Sequence, residues 1–265
     1  MSEASRDPVR LARANMRPAA IKRFFTKASV GEAEGGGFAL LLDGRRARTP
    51  AKKPLILPTR ALAELVAAEW AGQGETIDPA AMPLTRLANS ALDGVAAALG
   101  ATRAEIAGYA GADLLCYRAE APEALVAAEA EAFDPVLEWA GQALGAKLLV
   151  GQGVAHVRQS ENALQAVGAA LRSVDSPFAL AALHVMTSLT GSVVLALAVA
   201  RRRLSAEEAW RIAHVGEDFQ IARWGKDEEA TGRRAARWRD FEAAACAFAA
   251  GRSASGTERN TSAPA

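Results

Sequence analysis

Apolar and polar positions follow two different rhythms along this chain. Between Lys22 and Pro58 the apolar runs are short and punctuated by turn residues, which is the pattern of strands. Lys22–Val30 (KRFFTKASV) is rich in β-formers, Gly31–Gly37 is a flexible turn, and Phe38–Leu42 (FALLL) is a short apolar run. Asp43-Gly44 is a strong hairpin dipeptide that returns the chain through Arg45–Thr49, and Leu55–Leu57 makes one more short strand between Pro54 and Pro58. From Thr59 the period lengthens. Leu62, Leu65, Val66 and Trp70 recur at helical spacing up to Gly72–Glu75, and after Pro79 and Pro83 a second helix carries Leu84, Leu87, Ala91, Leu92 and Val95.

Beyond Leu99 the pattern is almost wholly helical. Helices are expected over Ala101–Leu115, Pro122–Leu144 (kinked or split at Pro135), Ser160–Val174, Pro177–Ala200, Ser205–Trp224 and Asp227–Ala250. Ala146–Val150 and Val154–Val157 make a small strand pair around Gly151–Gly153. The architecture implied is α+β. A small mixed α/β N-terminal domain with short antiparallel strands (21–99) precedes a larger all-helical C-terminal domain (100–250), with a flexible arm at 1–20 and a disordered, Gly/Ser-rich tail at 251–265.

Phe178–Ala200 holds no charged residue and ends at Arg201-Arg202-Arg203, so it has the length and flank of a membrane span. Its centre, however, contains His184, Thr187, Ser188, Thr190, Gly191 and Ser192, and the amphipathic helices around it need something to pack on. A helix apolar on all sides serves a domain core as well as a bilayer, and the core is the reading adopted, with no stable membrane insertion.

With 265 residues the chain can bury a core without staples. Its 31 basic and 30 acidic residues nearly cancel, which argues against nucleic acid as a partner. Cys116 and Cys246 lie far apart with no CxxC pair, as expected of two buried thiols in a reducing compartment. The first residues lack the apolar stretch of a secretory signal, and their spaced arginines (Arg6, Arg10, Arg13, Arg17) read as a mobile basic arm.

The common catalytic signatures are missing. There is no P-loop, no H-E-x-x-H and no G-x-S-x-G, and His156, His184 and His214 are too widely spaced for a local metal site. Gly35–Gly37 sits between strands, away from any helix N-terminus, and is a hairpin turn before it is a phosphate cradle. Neither a cofactor nor a metal is expected.

The densest functional candidate is Glu217–Ala230, EDFQIARWGKDEEA, with five acids and Trp224 in one run. Ser205 and Glu208 form a capping box that starts a helix, which places Trp210, His214, Glu217, Ile221 and Trp224 on one face. Ile212, Val215 and Phe219 fall on the opposite face. Gly225 breaks the helix, and Asp227, Glu228 and Glu229 open the last one, where the dipole favours acids and Arg233, Arg234 and Arg237 can pair with them. Trp238, Phe241, Ala245 and Phe248 are the buried stripe of that final helix. Three readings of the cluster stay open on this basis. The acids cap and pair within the fold; or Glu217 and Glu229 form an acid/base couple of a hydrolase-type enzyme; or tryptophan edges ringed by acids form an interface.

Taken in order, several stretches resemble a known family. They are Arg23–Phe25 (RFF), Leu42–Ala63, Glu69–Asp93, Asp113–Glu120 (DLLCYRAE), Phe133–Ala140 (FDPVLEWA), Leu189–Ala200 and Glu217–Ala230. Together they are similar to the mitochondrial and α-proteobacterial assembly chaperones that handle the α subunit of the ATP synthase catalytic head. The likeness runs from about Arg23 to Phe248. It implies a non-catalytic protein that transiently binds the free α subunit and shields its β-subunit-facing surface until assembly. It also implies a monomer of the bacterial cytoplasm, or of the mitochondrial matrix if the source is eukaryotic. The partner-binding residues it implies are Glu217, Asp218, Gln220, Trp224, Gly225, Asp227 and Glu229. Phe133 and Phe219 stand where tryptophan is common in the family, and Lys226 where an acid is common.

Overall fold

The computed structural model describes residues 21–252, so the arm expected at 1–20 and all but the first two residues of the tail expected at 251–265 lie outside the described residues. The N-terminal part is a four-stranded antiparallel sheet with one helix laid across it. Strand β2 (Ala28–Glu32) pairs along its whole length with β3 (Phe38–Leu42), in the register Ala28↔Leu42 to Glu32↔Phe38. Asp43 (φ 48°) and Gly44 (φ 80°) both take left-handed conformations, the requirement of a tight hairpin, and return the chain into β4 (Arg45–Arg46). Strand β5 (Ile56–Leu57) joins β3 at its other end through Phe38↔Leu57. A separate two-stranded ladder joins β1 (Ile21–Lys22) to β6 (Thr76–Ile77).

Helix α1 (Arg60–Ala71) buries Leu62, Ala63, Val66 and Ala67 against this sheet. Its N-cap, Thr59, accepts from the Leu62 amide at 3.2 Å and donates its hydroxyl proton to the Ala250 carbonyl at 2.6 Å, tying the first helix to the end of the last. Glu69 works at a distance. Its carboxylate accepts from the Leu84 and Thr85 amides (2.7 and 2.8 Å) and from the Thr85 hydroxyl, and so caps α2 (Pro83–Asp93), whose own N-cap residue Met82 has no oxygen to offer.

The remaining chain is helical, and it departs from the sequence expectations where a polar side chain intervenes. The apolar run at 178–200 is two helices, α6 (Pro177–Thr190) and α7 (Val193–Ala200). Gly191 turns left-handed (φ 70°) and ends α6, and the Ser192 hydroxyl accepts from the Leu195 amide to start α7. Buried Asp113 accepts from the Leu115 and Val194 amides at 3.1 and 3.2 Å, which anchors the preceding loop on the N-terminus of α7. Among the described residues no helix is long and apolar enough to cross a membrane.

Helix α3 (Leu99–Gly108) is shorter than expected and runs into tight 3₁₀ turns up to Cys116. Helix α4 (Glu123–Trp139) continues through Pro135 and loosens only afterwards, in a π-helical turn at Ala140–Leu144. The strand pair expected at 146–157 does not form. The Gln159 side chain accepts from the Leu149 amide and donates to its carbonyl (2.8 and 2.9 Å), taking the place of a neighbouring strand, while β8 (Gly151–Gln152) pairs in parallel with β7 (Tyr117–Arg118). Helix α5 (Glu161–Arg172) follows and packs on α3.

The last three helices are α8 (Ala206–Ala213), α9 (Val215–Trp224) and α10 (Glu228–Ala250). Helix α10 lies along α6 and also touches α2 and α8, and α9 packs on α4. One contiguous buried cluster runs from Leu40, Leu57 and Val66 to Leu183, Met186, Leu195 and Phe241. Cys116 is buried as expected, and burial together with the neighbouring Asp113 pushes its thiol up to about 12. Cys246 is not buried, because it lies on the outward side of α10.

Candidate functional site

The sequence treats Ser205–Trp224 as a single helix, and the structure breaks it at His214. The capping box is present, with the Ser205 hydroxyl accepting from the Glu208 amide and the Glu208 carboxylate from the Ser205 amide. His214 (φ −114°, ψ 16°) then leaves the helical region. Its Nδ1–H donates to the Trp210 carbonyl at 2.7 Å, and its ring lies on the Trp210 indole with centroids 4.0 Å apart.

This joint separates the two tryptophans that a continuous helix would align. Trp210 is buried against Trp238 and Phe241, with centroids 5.6 and 5.3 Å away, whereas Trp224 is 74 % exposed. The expected tryptophan-lined face around Glu217 therefore does not exist. Val215 and Phe219 are only partly covered, and no residue of α9 is fully buried.

Glu217 and Asp218 both turn toward Arg234 of α10. Arg234 is paired directly with Asp218, and its Nη1 is 3.9 Å from Glu217 Oε1. On the other side Glu217 Oε2 lies 4.0 Å from Nε2 of His214. The Asp218 carboxylate raises the Arg234 pKa, keeping the guanidinium charged. Burial holds the His214 pKa down; the bond to the Trp210 carbonyl and the charge of Glu217 oppose this, while Arg234 adds to it.

Gln220, Trp224 and Gly225 sit at the free end of α9. Gln220 is exposed, and the neighbouring Arg223 guanidinium lies over the Trp224 ring, 5.9 Å from its centroid. Gly225 closes the helix by donating to the Ile221 carbonyl at 2.9 Å. It then takes φ 89°, ψ 176°, a conformation open essentially only to glycine, although nothing within 4 Å crowds a Cβ there.

Exposed Lys226 leads to Asp227, which is the N-cap of α10 and accepts from the Ala230 amide at 2.6 Å. Glu229 is exposed and pairs with Arg233 one turn on at 2.6 Å. Arg237, the third arginine, donates instead to the Leu189 carbonyl at 2.6 Å and fastens α10 to the end of α6.

The seven sequence-predicted residues thus fall into three groups. Glu217 and Asp218 share Arg234, Asp227 and Glu229 belong to the first turn of α10, and Gln220, Trp224 and Gly225 form an exposed corner between the two helices. Glu217 and Glu229 have different cationic partners, Arg234 and Arg233. Among the described residues no three His, Cys, Asp or Glu side chains come close enough to hold a metal ion. The sequence reading missed the hinge role of His214. A histidine four residues after a tryptophan gives no outward sign that its ring will bond back to that tryptophan's carbonyl. It also missed that Arg234, not an apolar wall, is what Glu217 faces.

Comparison with known proteins gives a consistent picture. The family model described as the ATP12 chaperone protein matches residues 22–141, from the first strand to the turn that follows α4. Among solved structures the chain is similar to a candidate chaperone from Agrobacterium tumefaciens, with 47% identity and a TM-score of 0.85 over 93% of this chain and 92% of that one. It is similar also to Atp12 from Paracoccus denitrificans, with 45% identity and a TM-score of 0.81 over 88% of this chain and 99% of that one.

Proposed function

Because the chain belongs to the ATP12 chaperone family, we propose that it is a non-catalytic assembly chaperone that binds the free α subunit of ATP synthase. It shields the surface of that subunit that later meets the β subunit, and it releases its client when the catalytic head assembles. It works as a monomer without cofactor in the bacterial cytoplasm, or in the mitochondrial matrix if the source is eukaryotic. The contact is made by the corner between α9 and α10, through Glu217, Asp218, Gln220, Trp224, Gly225, Asp227 and Glu229.

The observation that carries this assignment of the surface is Trp224. A tryptophan that is 74 % exposed at the tip of a helix, beside a glycine-only turn and a row of acids, contributes nothing to its own core. Aromatic anchors of this kind dominate the energetics of interfaces. A client contact that must later be released is of moderate area and partly polar, and a single aromatic with charged neighbours meets that description.

The test is co-expression with the α subunit, with and without the β subunit. The chaperone keeps the α subunit soluble and is recovered with it, and added β subunit displaces it. Equal solubility of the α subunit without this protein, and no complex, would falsify the reading. Glu229→Lys, on the exposed first turn of α10, leaves the melting temperature within a few degrees of wild type and lowers recovery of the complex. A variant that loses its fold instead returns Glu229 to an internal structural role.

A further inference from the structure

A second surface lies at the opposite end of the sequence. A cleft of about 560 Å³ beside the β3–β4 hairpin is lined by Phe24, Phe25 and Trp70 on one side and by Asp43 and the arginines of Arg45–Arg48 on the other. One wall is aromatic. Phe24 stands edge-on to Phe25 (5.6 Å, 76°) and to Trp70 (6.4 Å, 72°), yet is itself 66 % exposed. The other wall is the basic strap Arg45–Arg48.

The aromatic wall is held in place from behind. Arg23 Nε donates to the Phe25 carbonyl (3.1 Å), Nη1 to the Gln73 carbonyl (2.5 Å) and Nη2 to the Thr26 carbonyl (3.1 Å). The same guanidinium lies 4.6 Å from the centre of the Phe25 ring. Trp70 is fixed by its indole N–H, which donates to the Thr85 hydroxyl at 3.1 Å. With Phe25 buried and pinned, the next ring, Phe24, is turned outward, so an exposed aromatic is presented without a free hinge.

The strap carries unused charge. Among the described residues Asp43 is the one acid lining the cleft, and its carboxylate already accepts from the Thr26 and Lys27 amides at 2.7–3.0 Å. Arg46 reaches Glu34 only at 3.8 Å, with both groups in solvent, and Arg48 donates to the Lys52 carbonyl. The Arg45 guanidinium makes no hydrogen bond or ion pair among the described residues, although, beside the Lys27 and Thr26 amides, its charge helps to hold the Asp43 pKa down.

We propose that this cleft is a docking site for an extended acidic protein segment. A large apolar side chain of the segment packs on Phe24 and Trp70, and its flanking carboxylates face Arg45, Arg46 and Arg48. Charge complementarity selects this occupant, since three guanidiniums beside one already engaged carboxylate favour anions, and an aromatic wall favours an apolar anchor between them. Residues 1–20 and 253–265 do not match it. Residues 1–20 carry Arg6, Arg10, Arg13 and Arg17 against Glu3 and Asp7, and residues 253–265 contain no large apolar side chain. The site is separate from the Trp224 corner and does not depend on which client that corner holds.

The test is fluorescence polarisation of the full chain with a labelled synthetic peptide, Gly-Asp-Glu-Leu-Phe-Asp-Glu-Gly. One control peptide has Asn and Gln in place of the acids, and another has Ser-Ser in place of Leu-Phe. We expect a Kd on the order of 10 µM for the acidic peptide and at least roughly tenfold weaker binding for each control. Arg45→Glu and Phe24→Ala each weaken binding by about tenfold, whereas Trp224→Ala leaves it unchanged. Arg45 and Phe24 are exposed, and Arg45→Gln with an unchanged melting temperature separates loss of charge from loss of fold. Equal affinity for the neutral peptide, or for the Arg45→Glu protein, overturns the proposal.

Two further outcomes would also overturn it. A single-stranded oligonucleotide that binds more tightly through the same residues assigns the cleft to nucleic acid. Self-association in sedimentation, abolished by either Arg45→Glu or Trp224→Ala, assigns it to the Trp224 corner of a second copy. The peptide assay contains no α subunit, so failure to recover the α-subunit complex leaves its result untouched.

Discussion

The α9–α10 corner and the cleft beside the β3–β4 hairpin are both charged surfaces with an exposed aromatic, but they treat their charges differently. At the corner the acids already have work within the fold: Asp218 neutralises Arg234, Asp227 caps α10 and Glu229 pairs with Arg233. What is left to offer a partner is chiefly Trp224 and the polar side chains around it. In the cleft, among the described residues, the Arg45 guanidinium is unpaired, Arg46 is loosely paired, and the one lining acid is occupied by backbone amides. The density of charge in a sequence therefore says little about how much of it is available. EDFQIARWGKDEEA is the most conspicuous run in the chain, yet most of its carboxylates stabilise a helix end, while the inconspicuous RRAR leaves the Arg45 guanidinium without an ion pair among the described residues.

The largest test of this contrast compares tryptophans. Trp210→Ala, which empties a buried site between His214, Trp238 and Phe241, is expected to cost about 3–5 kcal/mol in urea unfolding. Trp224→Ala is expected to cost less than about 0.5 kcal/mol. If the two losses prove similar, Trp224 is a packing residue and the corner has no aromatic to give.

Gly225→Ala comes next. Its backbone sits at φ 89°, where an L side chain is strained, so a loss of about 1–2 kcal/mol is expected from the turn alone. A neutral substitution would show that the corner relaxes freely and does not hold Trp224 in a defined place.

Stability against pH separates buried groups from the exposed edge. Burial raises the Asp113 pKa from 3.8 to about 6, so as pH falls from 7.5 to 5.5 the folded chain takes up a proton before the unfolded one does. This group accordingly adds about 1 kcal/mol of stability over that interval. His214 acts in the opposite sense. Its folded pKa is held below 6.5, so the unfolded chain is protonated first and stability is lost as pH drops through 6.5. Asp113→Asn should therefore make the wild-type fall on the acid side steeper, and His214→Gln should make it shallower, both read from urea midpoints across pH. An unchanged slope in both variants would place the titration elsewhere in the chain.

Apart from Trp224→Ala, the smallest loss is expected from Arg234→Gln, about 0.5–1 kcal/mol, because its pairs with Glu217 and Asp218 are only partly buried. The same change removes a positive neighbour from His214, and NMR titration should show the imidazole pKa rising.

Much of the fold was legible because local rules governed it. Asp43-Gly44 encodes its hairpin, Thr59 and Ser205 start their helices, and Gly225 followed by Asp227 ends one helix and begins the next. The errors share a cause. The break at Gly191-Ser192, the joint at His214 and the missing strand pair near Leu149 each depend on a polar side chain bonding to backbone. Hydrophobic periodicity contains no record of such bonds. Of the candidate site, the helix break at Gly225 and the cap at Asp227 were legible, but the division of its residues into engaged and available groups was not.

By itself the sequence determined the order of short strands and long helices and, through joint motifs, the family. Both rest on neighbouring residues and their spacing, which are one-dimensional properties. The tertiary structure alone decided that Trp210 turns inward and Trp224 outward, that Glu217 faces an arginine, and that Phe24 and Trp70 share a wall with Arg45. Each of these depends on a chain reversal or a hydrogen bond between segments distant in sequence, and no local pattern carries that information.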